Sequence, residues 1–140
     1  MRRGVFALFA LMMLASCGNT TTAKNNDSYY STETKTTEEG TVEVLYMHGK
    51  QRCATCIAIG VEAEAFIKEL DNDKVVMKTI DFSTPEGEMI ADKYEVASSS
   101  LIIVKGDEVD NVTAMGFQYA RTNPEQFKKN LGESIQKMLD

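Results

Sequence analysis

Nowhere does the 140-residue chain hold the ~20 consecutive apolar residues that a membrane-spanning helix requires. The longest such run, Val5 to Ala15, falls well short, so a polytopic membrane protein is excluded. Basic residues are also scarce: 15 Lys and Arg stand against 21 Asp and Glu, for a net charge of −6. An acidic chain without a basic patch excludes nucleic acid as the expected partner. One histidine, His48, leaves too few ligands for a four-coordinate zinc site. The two prolines, Pro85 and Pro124, both stand where a helix begins. Cysteine is limited to Cys17, Cys53 and Cys56.

What is present starts with a secretory pattern. "MRRGVFALFALMMLASC" has two arginines, an apolar run and small residues before a cysteine. "LASC" resembles the lipobox of bacterial lipoproteins. That resemblance implies a signal peptide over 1–16 and a lipid-modified Cys17 as the mature N-terminus. More than one lipid chain anchors stably where a single chain does not. The expected location is the bacterial cell envelope, outside the cytoplasm and on a membrane. Loss of residues 1–16 removes Arg2, Arg3 and no acid, which takes the charge from −6 to −8. Export into a disulfide-permissive compartment leaves Cys53 and Cys56 as the only thiols.

Residues 17–40 continue as "CGNTTTAKNNDSYYSTETKTTEEG", rich in Thr, Ser and Asn and without apolar periodicity. Such a segment cannot bury enough surface to offset its ordering entropy, so it is expected to be a tether. Tyr29 and Tyr30 read as incidental aromatics, and Glu38-Glu39 and Glu86/Glu88 as solvated surface.

From 41 the texture becomes that of a folded domain. "VEVLYM" (42–47), "KVVMKTIDF" (74–82) and "SLIIV" (100–104) read as strands. "KGDE" predicts a turn into a fourth strand over "VDNVTAM" (109–115). Ile59, Ala63, Phe66 and Leu70 recur at helical spacing. Thr84 with Pro85, and Asn123 with Pro124, mark two further helix starts, the second carrying Gln126 in a capping-box pattern. The order is β-α-β-α-β-β-α, with a C-x-x-C after the first strand.

A cysteine pair at a helix start suits redox work, because unpaired N–H groups and the helix dipole favour thiolate on the first sulfur. Between His48 and Arg52 no Ser, Thr, Asp or Asn is available as a cap. The Cys53 sulfur is then the natural acceptor, with Lys50 and Arg52 adding positive charge. Cys53 is expected to be the attacking nucleophile and Cys56, one turn on, the resolving thiol. Two other readings stay open on the same thiols. One is a soft-metal module holding Cu(I); the other is an accessory subunit with a structural disulfide, although so small a loop stabilises little. His48 is read as a satisfied strand-end residue. No cofactor or resident metal is expected on the redox reading.

The element order and dithiol resemble the thioredoxin-like α/β fold, a mixed central sheet flanked by helices. More narrowly, "HGKQRCATC", "VKGDEV" and "YARTNPEQF" resemble the ArsF family, labelled "nitrophenyl compound nitroreductase subunit". The resemblance spans 41–140 and implies an extracytoplasmic thiol–disulfide oxidoreductase or electron-transfer partner. Its partners would be a protein thiol or disulfide client and a membrane electron donor or acceptor. Thioredoxins carry Trp before the first cysteine and Gly-Pro within the pair, where this chain has Arg52 and Ala54-Thr55. Met47 replaces their buried acid, and Ser100 (Ser99 if the loop slips by one) their cis-proline. These departures point to a dedicated transfer partner rather than a general protein reductant. "MGFQYAR" (115–121) is expected to follow the last strand, either as a loop whose aromatics cover the core or as part of the client face, with Phe117, Tyr119 and Arg121 as candidates to line it.

Overall fold

The chain alternates strand and helix until β3 and then breaks the alternation with a hairpin. A computed structural model describes residues 40–140. In order these form β1 (Val42–His48), α1 (Ala54–Leu70), β2 (Val75–Asp81), α2 (Pro85–Lys93), β3 (Ser100–Lys105), β4 (Glu108–Asn111), α3 (Thr113–Tyr119) and α4 (Pro124–Leu139). The segments 1–16 and most of 17–40, including Cys17, Tyr29, Tyr30 and Glu38-Glu39, lie outside the described residues. Among the described residues no helix is long and apolar enough to cross a membrane.

The strands lie in the order β2-β1-β3-β4, with β1 parallel to β2 and antiparallel to β3. β1 and β3 are therefore central and are apolar on both faces, as strands covered on two sides must be. Val42, Val44 and Tyr46 of β1 and Leu101 and Ile103 of β3 face Ile59 and Ala63 of α1 and Phe127, Leu131, Ile135 and Met138 of α4. Leu45, Met47, Ile102 and Val104 face the other way and pack with Ile80 and with Ala91 of α2. The stripe expected on α1 turns inward, with Ile59 and Ala63 buried and Phe66 and Leu70 partly buried against the same cluster.

The caps follow the local chemistry. Thr84 Oγ1 accepts the Gly87 N–H at 3.1 Å ahead of α2, and Asn123 Oδ1 accepts the Gln126 N–H at 3.2 Å ahead of α4. The second cap is not the reciprocal box expected. Gln126 Nε2 donates to Asn130 Oδ1, and the Asn123 N–H donates to the Tyr119 carbonyl at 2.8 Å instead.

The fourth strand also ends early. The sequence pattern carries it to Met115, but pairing stops at Ile102 opposite Asn111, and the chain enters α3. Thr113 explains the stop. Its hydroxyl accepts the Leu101 N–H at 2.9 Å and donates to the Leu101 carbonyl at 3.3 Å, taking the place of a strand partner. Asn111 Oδ1 accepts the Thr113 N–H and turns the chain at the same point. The segment "MGFQYAR" is consequently helix and helix end, not a loop.

Candidate functional site

The C-terminal ends of β1 and β2 and the first residue of β3 meet at one end of the sheet, since Met47 pairs with Ser100 and His48 with Asp81. Residues 49–53 lead from there into α1. Gly49 lies against the Phe82 ring, and the Phe82 N–H donates to the His48 carbonyl at 2.9 Å, which ties this loop to the end of β2.

Cys53 is the N-cap of α1, in extended conformation, and its Sγ accepts the Cys56 N–H at 3.1 Å. The sulfur thus does what a serine or aspartate oxygen does at other helix starts, leaving one fewer orphan donor. The two cysteines form a disulfide, with Cα atoms 5.1 Å apart, inside the ordinary range for such a bond. Their environments differ. Cys53 is exposed, whereas Cys56 retains only 8 % of its accessible surface.

Around the pair, Lys50 and Arg52 are exposed. Asp81 sits on the neighbouring strand end. The Ser83 hydroxyl and N–H both donate to its carboxylate and hold its pKa below the usual carboxylate range, with His48 and Lys50 adding a smaller favourable charge effect. Ser100 is buried at the start of β3, and its hydroxyl donates to the Ser98 carbonyl at 2.9 Å. No peptide bond among the described residues is cis.

The residue that sequence patterning passed over is Tyr46. As one apolar-face residue of a central strand it looks like simple core, and it is 2 % exposed. Its hydroxyl, however, donates to the Cys56 carbonyl at 2.5 Å. Burial raises its pKa above the ordinary tyrosine value, so the phenol is the proton-bearing partner at neutral pH. Its ring packs closely against α1 at Gly60, where a Cβ would stand 2.5 Å from a ring carbon. The glycine inside the helix was the available signal, because such a residue marks close approach of another group.

The three candidates, Phe117 and Tyr119 on α3 and Arg121 in the turn after it, separate. Gly116 places α3 against Ile59, one turn beyond Cys56. Tyr119 packs against the core on the α1 and α4 side, while Phe117 is 43 % exposed and Arg121 is exposed. Neither the Cys53 Sγ–Cys56 N–H bond nor the Tyr46 bond to the Cys56 carbonyl involves α3. Among the described residues no group of three or more His, Cys, Asp or Glu converges as a metal site would require.

Comparison with solved structures gives the fold its name. The structure described as that of a malarial protein is 22 % identical, at a TM-score of 0.52 over 71 % of this chain and 99 % of its own. The thioredoxin of Fasciola hepatica is 26 % identical, at a TM-score of 0.51 over 71 % of this chain and 83 % of its own. The first thioredoxin domain of mouse protein disulfide-isomerase A4 is 18 % identical, at 0.50 over 71 % and 64 %. No protein-family profile and no curated protein matches the sequence. The fold is thioredoxin-like, with a mixed four-stranded sheet flanked by helices, and α3 is the element added to the expected order.

Proposed function

We propose that this domain is a thiol–disulfide oxidoreductase or electron-transfer partner working through Cys53 and Cys56. The supporting observation is the inequality of the two sulfurs: one exposed and capping a helix, the other 8 % exposed behind it. In the reduced pair, the Cys53 thiolate attacks one sulfur of a client disulfide. A mixed disulfide forms and the first client thiolate leaves. The Cys56 thiolate then attacks the Cys53 sulfur, the second client thiolate leaves, and the Cys53–Cys56 disulfide closes. Two electrons have passed to the client, and a membrane donor returns them to the pair. The exchange is reversible, and its direction follows the potential of the pair against its partners.

Equilibration in glutathione or dithiothreitol buffers measures that potential. A value near about −120 mV identifies an oxidant and one near about −270 mV a reductant. A value below about −300 mV marks a structural bond and overturns the proposal.

We place the domain outside the cytoplasm, held to a membrane by lipid on Cys17, on the strength of the "LASC" junction. Intact-mass analysis of protein from cells should show a chain starting at a lipid-modified Cys17. An unmodified cysteine or another start removes the anchor. The ArsF-like segments "RCATC" and "YARTNPE" support an electron-transfer subunit beside a reductase over a general reductant of proteins.

A further inference from the structure

Cys56 is bonded on both sides. Its N–H donates to Cys53 Sγ at 3.1 Å, and its carbonyl accepts from the Tyr46 hydroxyl at 2.5 Å. The peptide unit that carries this carbonyl also carries the Ile57 N–H, which donates to the Cys53 carbonyl at 3.0 Å. A chain of hydrogen bonds therefore runs from the phenol through peptide 56–57 to the backbone of Cys53. A bond donated to a peptide oxygen polarises the unit and strengthens the bond its N–H makes. Tyr46, on a central strand, thus draws tight the turn in which the Cys53 sulfur meets its donor.

The ring holding the hydroxyl packs against Gly60 and lies beside His48, whose ring centroid is 5.4 Å away.

We propose that Tyr46 is a positioning residue of the dithiol, holding through the Cys56 carbonyl the turn that stabilises the Cys53 thiolate. This rests on the oxidoreductase reading. It gives this chain a substitute for part of what it lacks, since Met47 and Ser100 offer no acid and no proline at the site. Stabilising the thiolate stabilises the reduced pair, so Tyr46 also raises the potential.

The test is the pH profile of Cys53 alkylation by iodoacetamide in a Cys56→Ser chain, which keeps the backbone groups of position 56. Adding Tyr46→Phe keeps the ring and removes the hydroxyl. The expected result is a profile moved to higher pH, with alkylation at pH 7 slower by roughly three- to tenfold. With both cysteines present, Tyr46→Phe should make the pair more reducing. An unmoved profile with a lowered melting temperature would make the hydroxyl structural only and overturn the proposal. A parent whose Cys53 reacts like a free thiol fails earlier and overturns the oxidoreductase reading, and this inference with it.

Discussion

A Cys56→Ser chain should accumulate its client as a mixed disulfide on Cys53, while Cys53→Ser should trap almost none and should lose exchange with a disulfide probe to background. The asymmetry follows from geometry. Cys53 stands exposed at the helix start, and its sulfur already accepts the Cys56 N–H, so an incoming disulfide meets a sulfur that is both reachable and disposed to be thiolate. Cys56 is 8 % exposed and serves only after attack, when the sulfur it must reach is one turn away. Serine at 56 removes the second step and leaves the first. Serine at 53 removes the first, and the remaining thiol is shielded. A Cu(I) clamp makes the opposite prediction, because two thiolates bind one ion and either substitution loses most of the affinity. Non-reducing gels of whole-cell extracts, with anaerobic copper titration of the reduced wild type, separate the two. Equal, poor trapping by both variants together with stoichiometric copper binding would replace the oxidoreductase by a binding module.

What could be read from the chain was what is local. Thr84 and Asn123 announce their helices because a cap and its N–H groups lie within three residues, and Cys53 announces itself because nothing else in 48–52 can cap. The central strands were legible because burial on both faces leaves an apolar run. The misses depend on residues far apart in the chain. Thr113 ends β4 by satisfying Leu101, twelve residues earlier, and no local pattern in "VDNVTAM" shows that. Gln126 prefers Asn130 because the N–H it would have capped is already taken by Tyr119. Tyr46 reads as core until its hydroxyl is seen on Cys56, ten residues later and in another element. Ser100 falls at the dithiol end of the sheet by register, but its hydroxyl bond stays within its own loop.

Gly87→Ala should be among the most damaging single changes in the domain, although it places the best helix former in a helix. Gly87 lies in the first turn of α2, where its N–H meets Thr84 Oγ1. A Cβ there would stand 2.0 Å from the Asp81 carbonyl oxygen, 2.6 Å from the Asp81 carbonyl carbon and 3.1 Å from Phe82 Cα. All three are backbone atoms at the end of β2, so no side chain can swing aside. The gain in helix propensity is ~1 kcal/mol. Against it, α2 must lift from the sheet and loosen the contacts of Ala91 and Ile90 with the cluster on that face. Overpacking costs about 1–3 kcal/mol where side chains can adjust, and more where only backbone can move. A net loss of about 3 kcal/mol is expected, which for a domain of this size lowers the melting temperature by about 10 °C or more. The denaturant midpoint should fall with little change in slope. The change should also reach the site, because Phe82 carries the N–H bonded to His48 and the ring against Gly49. Cys53 alkylation should therefore become less uniform in rate. A Gly87→Ala protein as stable as wild type would mean that α2 does not sit on Asp81 as described, and the tie between the end of β2 and the dithiol loop would have to be redrawn.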